Sequence, residues 1–128
     1  LVALAANLGN LLDRAPGRVT KSTVVTFAVL LAGTGAGSEL TGPAMVVGAG
    51  LGLLVPDLRE RVMLGDAGAN ALGAAVGVGA VVACSPGVRL VLLAAVAVLN
   101  LASEVVSFSR VIDATPPLRW ADRVGRVA

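Results

Sequence analysis

Ala67-Gly68-Ala69-Asn70-Ala71-Leu72-Gly73-Ala74-Ala75-Val76-Gly77-Val78-Gly79-Ala80-Val81-Val82-Ala83-Cys84-Ser85-Pro86-Gly87-Val88 runs for 22 residues without an Asp, Glu, Lys or Arg. A helix crosses the hydrocarbon of a bilayer with about 20 apolar residues, and an open strand cannot satisfy its backbone there, so this run reads as a membrane-spanning helix. Three other charge-free runs, 22–38, 40–56 and 90–103, read the same way, the last with Glu104 at its interfacial end. Residues 1–12 read as the C-terminal half of a further helix whose beginning is missing. The expected fold class is all-α: a polytopic transmembrane helix bundle of about four full spans, a partial N-terminal helix and an amphipathic C-terminal tail. Residues 1–103 make up the membrane region and 104–128 the tail.

Composition agrees. Hydrophobic residues are 56% of the chain and charged residues 14%, with 16 glycines, against roughly 45–50% apolar plus glycine and about 25% charged in a soluble domain. Mean hydropathy is +0.89. These values exclude a disordered chain, a disulfide scaffold and an ordinary water-soluble domain. Nucleic acid is excluded as a partner, because Phe27, Phe108 and Trp120 are the only aromatics and the basic residues lie in separate short loops. One cysteine forms no internal disulfide, and the absence of histidine excludes a Cys/His zinc site and a His-based triad. The spacing Gly48-x-Gly50-x-Gly52 is not that of a dinucleotide-binding loop, and its surroundings are membrane-like.

Pro16-Gly17, Gly42-Pro43, Pro56-Asp57 and Ser85-Pro86-Gly87 punctuate the runs, so successive connections alternate sides. The first, third and last connections hold Arg14, Arg18, Lys21, Arg59, Arg61, Arg110, Arg119, Arg123 and Arg126; the other two hold only Arg89. By the positive-inside rule the basic loops and the tail are cytoplasmic. Gly33 with Gly37, Gly48 with Gly52, and Gly73 with Gly77 recur at four-residue spacing, which suits close helix packing within one bundle or a homodimer face.

Two polar groups stand out. Asn7, Asn10 and Asp13 share one helical stripe at a cytoplasmic end, either as interfacial residues capping the helix or as oxygen ligands. Asp66 begins the longest run with Asn70 one turn inside, either as an N-cap or as a carboxylate for a hard divalent cation.

The run Asn7-Leu8-Gly9-Asn10-Leu11-Leu12-Asp13 resembles the N-x-x-N-x-x-D motif of the polyprenyl-phosphate N-acetylhexosamine-1-phosphate transferases. Met63-Leu64-Gly65-Asp66-Ala67-Gly68-Ala69-Asn70-Ala71-Leu72-Gly73 is similar to their F-M-G-D-x-G-S-x-x-L-G motif. The resemblance covers roughly residues 1–103 and corresponds to the later half of a family member. It implies an integral membrane enzyme that moves a sugar-1-phosphate from a nucleotide-sugar, usually UDP-linked, to polyprenyl phosphate in cell-envelope glycan synthesis. It would sit in the cell membrane and use Mg²⁺, or Mn²⁺ in its place. Carried over by motif, Asp66 and Asp13 are catalytic, Asp66 and Asn10 bind the metal, and Asn7 and Asn10 bind substrate; Asn70, one turn inside Asp66, is a further substrate-binding candidate. Arg14, Arg18 and Lys21, beside that cleft, are candidates for holding phosphate, or simply a solvated positive-inside loop.

Three departures accompany the resemblance. No D-D-x-x-K motif is present, so half of the family's catalytic centre is missing and this chain alone is expected to be inactive. Asp13-Arg14-Ala15-Pro16-Gly17 stands where the family continues D-G-x-D-G, and Val62-Met63-Leu64 replaces the aromatic before Gly-Asp. Those positions help hold uracil in the family. The last loop has no histidine-rich motif. Instead the tail either lies in the interface, anchored by Trp120 and its arginines, or brings Glu104, Arg110 and Asp113 to the sugar-phosphate site. The alternative from another class is a catalytically inactive membrane scaffold that binds lipid-linked precursors.

Overall fold

The computed structural model describes residues 1–127. The chain is 80% helical, with seven α-helices among the described residues. They are α1 (Val2–Leu12), α2 (Arg18–Thr34), α3 (Thr41–Leu58, preceded by a 3₁₀ turn at Ser38–Leu40), α4 (Gly65–Ala83), α5 (Pro86–Ser103), α6 (Phe108–Ala114) and α7 (Pro116–Arg123). Three segments are long and apolar enough to cross a membrane: Ser38–Leu58, Gly65–Ala83 and Pro86–Ser103.

The expectation of four full spans is met by three helices of that length. The run at 22–38 is displaced: α2 starts four residues earlier, at Arg18, and stops at Thr34, where Gly35 takes φ +84°. Its 17 residues reach about 25 Å at 1.5 Å per residue, and its first turn carries Arg18 and Lys21. Glycine supplies the backbone conformation that ends the helix, and the charge-free run beyond it forms the connection to α3.

α4 is the centre of the bundle and packs against α1, α2 and α3. Its closest partner is α1, for a reason visible in the glycines. A Cβ on Gly9 of α1 would lie 2.5 Å from the Ala69 carbonyl oxygen, one on Gly77 would lie 2.9 Å from Val2 Cα, and one on Gly73 would press on the Ala5 carbonyl. Backbone therefore meets backbone along this seam, which is where van der Waals packing in lipid gains most. Gly73 and Gly77 thus serve packing within the bundle. Gly33, Gly48 and Gly52 face open space.

Two apolar clusters fill the rest. Phe27, Leu40, Val47 and Ala75 join α2, the 3₁₀ turn, α3 and α4; Val19, Ala69 and Leu72 join α2 and α4 nearer the other end. α5 differs. It is the most hydrophobic of the three long segments, yet none of its residues is buried, and α1 is its principal neighbour. Its exposed apolar surface makes α5 one of the three helices whose length and composition are consistent with a membrane location.

The connections 13–17 and 59–64 and the tail lie at one end of the bundle, tied together by contacts among Gly17, Asp57, Arg18, Asp122, Leu58 and Val127. Nine of the ten basic residues are at this end, and Arg89 is at the opposite one, with its Nε donating to the Cys84 carbonyl at 2.7 Å. Below, this is called the basic end. The tail breaks at Thr115-Pro116 into two short helices, as its proline suggests.

Candidate functional site at the basic end

Asp13 is the residue that ends α1, and Asp66 lies in the first turn of α4. The close α1–α4 seam brings Asp66 near enough for its charge to act on Asp13. Asp57, in the last turn of α3, is a third neighbour. Burial, then the charges of Asp57 and Asp66, push the Asp13 carboxyl above the usual carboxylate range, and the Gly65 backbone N–H opposes this.

None of these placements is explained by helix capping. The N-cap of α4 is Leu64, and Asp66, one residue inside Gly65, makes no capping hydrogen bond, which corrects the capping alternative for Asp66. Asp66 still benefits from the positive end of the α4 dipole. Asp13 and Asp57 sit at C-terminal helix ends, where a negative charge is unfavourable. Helix stability gives no reason for acids there.

Asp57 is buried, and its Oδ2 accepts the Gly17 N–H at 2.9 Å. Gly17, at φ +70°, turns the chain from α1 into α2, so Asp57 pins that turn beside Asp13. α3 then ends in a Schellman arrangement: the Arg61 N–H donates to the Pro56 carbonyl at 3.0 Å and the Glu60 N–H to the Asp57 carbonyl at 2.9 Å. Glu60 occupies the left-handed position, φ +56°, where glycine is usual. Such a conformation costs a non-glycine residue about 1 kcal/mol.

A cleft of about 420 Å³ opens here, lined by Asp13, Arg14, Asp57, Glu60, Met63 and Leu64 among others. A second, of about 300 Å³, is lined by Leu11, Arg14, Ser103, Glu104, Ser107 and Arg110 among others. Arg14, exposed, is the wall they share. One cleft is acidic, the other has two guanidinium groups.

The remaining candidates separate. Asn7 points away from Asp13: its Nδ2 donates to Asn100 Oδ1 on α5 at 2.6 Å, while Asn100 Nδ2 donates to the Leu4 and Val96 carbonyls at 3.1 and 2.8 Å. This amide pair ties α1 to α5. Asn10 and Asn70, half-buried, stay on α1 and α4 within a turn of the two acids. Arg18 is buried and committed elsewhere. Its Nε and Nη2 donate to the two Asp122 carboxylate oxygens at 2.8 and 2.9 Å, and its Nη1 to Ser109 Oγ at 2.9 Å. Lys21 donates to carbonyls of Ala121, Asp122 and Val124 at the end of α7. Of the three basic residues in the first connection, only Arg14 faces the clefts.

In the tail, Glu104 and Arg110 reach the second cleft, whereas Asp113 is exposed and does not line it. Arg126 joins Asp122 at 2.6 Å and donates from Nε to the Pro16 carbonyl at 3.1 Å. The hydrogen bond from Arg18, and then the charges of Arg18, Arg126 and Lys21, hold the Asp122 carboxyl below its ordinary range against the opposing effect of burial. Sequence reasoning missed Asp57 and Asp122; the only signal for the former was an acid directly after Pro56 at the end of an apolar run.

As a metal centre, the donors at Asp13, Asp66 and Asn10 are oxygens of the kind Mg²⁺ prefers, and Mg²⁺ needs only one or two carboxylates. Burial is the main reason that the Asp13 carboxyl is raised, and the charges of Asp57 and Asp66 add a part that a cation would relieve. Among the described residues no group of three or more acidic or cysteine side chains converges on one metal position. No protein-family model, curated protein or solved structure matches this chain.

Proposed function

We propose that this chain is part of a membrane phosphotransferase that joins a sugar-1-phosphate from a nucleotide-sugar, UDP-linked by the resemblance, to polyprenyl phosphate in cell-envelope glycan synthesis. The observation that carries this reading is Asp13, acted on by the charges of Asp57 and Asp66 and lining a cleft with Arg14, at the end of the tightly packed α1–α4 pair. In this reading α2 serves as the fourth span, and the basic end faces the cytoplasm of a cell membrane, as the distribution of arginines favours.

Asp66 and Asp13 would hold Mg²⁺ or Mn²⁺, with the Asn10 amide beside them. Such an ion neutralises phosphate charge and orients an in-line displacement. The protein's own contribution is electrostatic positioning. Arg14 binds phosphate oxygens from the wall between the clefts, and Arg110 does so from α6. Asn70, one turn into α4, orients substrate. Asp57 holds the 13–17 turn in place through Gly17. Arg18 and Lys21 hold the tail over the basic end, and Asn7 braces α1 against α5, so these three act on the architecture of the site.

The second reading, an inactive scaffold that binds lipid-linked precursors, is favoured by one fact: acidic side chains do not converge in threes on a metal position among the described residues.

The test uses membranes bearing the intact gene product, a radiolabelled nucleotide-sugar, polyprenyl phosphate and Mg²⁺. Label is expected in the lipid fraction, and Asp66→Asn and Asp13→Asn are each expected to reduce it at least a hundredfold, on the scale of removing one strong electrostatic contact. Full labelling by both variants would remove the acids from catalysis. Absence of labelling together with retained binding of the lipid-linked precursor would establish the scaffold.

A further inference from the structure

α7, Pro-Pro-Leu-Arg-Trp-Ala-Asp-Arg at 116–123, contains one acid, and the fold consumes it. Asp122 is turned into the body of the protein and neutralised there by Arg18 and Arg126. Pro116, Arg119, Trp120, Arg123 and Val124 line one open surface concavity of about 440 Å³ that Asp122 does not line. At 100° per residue Trp120 lies about 160° around the helix from Asp122, Arg123 about 100° and Arg119 about 60°. Arg119 and Arg123 are exposed and Trp120 is 72% exposed. A large aromatic ring flanked by two exposed guanidinium groups, one of which (Arg119 Nη1) also donates to the Asp113 carbonyl at 3.4 Å, faces outward from a concavity that no carboxylate lines, at the end of the bundle where nine of ten basic residues collect.

We infer that this outward face of α7 is a contact surface for the anionic headgroups of the bilayer in which the helices sit. Three features of the face fit that partner. Its charge is of one sign, which complements an anionic leaflet. Trp is the side chain best suited to the headgroup level, with an apolar ring and one N–H donor. Its apolar members, Pro116, Trp120 and Val124, are separated by arginines, which suits a shallow interfacial seat and does not suit burial in a protein core. The Arg18–Asp122 contact aims the face: by drawing the acid inward it both fixes the rotation of α7 and removes the charge that would repel the lipid. The inference does not depend on the catalytic reading.

Trp120 is the chain's one tryptophan and reports on its own surroundings. The intact gene product is reconstituted in nanodiscs of phosphatidylcholine, with and without phosphatidylglycerol, containing brominated lipid. The Trp120 signal is isolated as the difference from Trp120→Phe. Quenching is expected to be about twofold or more stronger with the anionic lipid, on the scale of the attraction per arginine near such a surface. It should fade as salt shortens the Debye length from about 10 Å at 0.1 M to about 3 Å at 1 M. Arg119→Gln with Arg123→Gln should abolish the difference, while Arg119→Lys with Arg123→Lys should keep it. Both arginines are exposed, so the substitutions leave the Asp122 contact in place, and amide-exchange protection of 116–124 verifies that. Equal quenching in the two lipids overturns the inference. So does protection of Trp120 from acrylamide by an acidic peptide but not by anionic lipid, which would make the face a protein-docking surface.

Discussion

Arg18 and Asp122, 104 residues apart, meet through two parallel hydrogen bonds of 2.8 and 2.9 Å, and both side chains are more than nine-tenths buried. This two-point contact is the strong form of a guanidinium–carboxylate pair, since the planar fork matches the carboxylate edge. It fastens α7 to the first turn of α2. Lys21 closes the end of α7, and Arg126 reaches back to the Pro16 carbonyl, so the tail covers the turn that leads out of Asp13. The two arginines drawn to Asp122 and the lysine beside them are thereby withdrawn from the clefts.

Removing one partner of a buried pair leaves the other charged and unsolvated. Asp122→Asn is therefore expected to cost about 3 kcal/mol or more of tail docking. The measurement is amide exchange of residues 108–124, which should speed up by two orders of magnitude or more while α4 is unchanged. Unchanged protection in the variant would show that the tail is held by its other contacts.

Acid should release the same contact. The folded carboxyl of Asp122 is held below its unfolded value of about 3.8. A depressed carboxyl contributes stability that is fully present above the unfolded value and is lost as pH falls through the folded one. The tail is thus expected to stay docked at neutral pH and to loosen only below about pH 4, followed by Trp120 anisotropy. Asp122→Asn should remove the acid transition, and a transition near neutrality in the natural protein would contradict the assignment.

The glycines separate by what a methyl group would meet. Gly73→Ala presses on the Ala5 carbonyl, a backbone atom that cannot swing aside, and is expected to cost about 1–3 kcal/mol by overpacking. Gly48→Ala meets nothing and should be neutral or stabilising by up to about 1 kcal/mol. Thermal melts in detergent rank the two. If Gly48→Ala leaves the melt intact but alters oligomer size on light scattering, the Gly48–Gly52 face joins two copies.

Asn7 and Asn100 offer a measurable helix–helix bond. A double-mutant cycle with Asn7→Ala and Asn100→Ala is expected to give a coupling of about 0.6 kcal/mol and no more than about 1.7. Asn7→Ala alone should be mild, because Asn100 keeps the Leu4 and Val96 carbonyls. A coupling of zero would mean that the amides do not hold α5 to α1.

Part of the site is readable in the chain because it is local. Asp13 ends one apolar stretch and Asp66 begins another, and alternation of short connections puts both at the same end. The basic residues identify that end for the same reason. Asp57 was not legible as a partner of this pair: one acid beside a proline looks like any span boundary, and its importance arises from the Gly17 N–H that folding brings to it. Asn7 shares a stripe with Asn10 and Asp13, yet the stripe is broad enough for its ends to face different neighbours, and the first amide turns to α5. α2 begins four residues before its charge-free run, because Arg18 and Lys21 find partners inside the protein and the helix can start among them.

Hydropathy, turn residues and the signs of loop charges are sums over neighbouring positions, so the sequence by itself determined a helical, membrane-type chain, the ends of its apolar segments and the end at which the acids and arginines gather. How each helix is rotated about its axis, which glycines meet backbone, and which arginine faces a cleft or is consumed by Asp122 were decided only in three dimensions. These depend on residues up to 104 positions apart competing for the same partner, and the fold selects among them by fit and by the cost of leaving a buried charge unpaired.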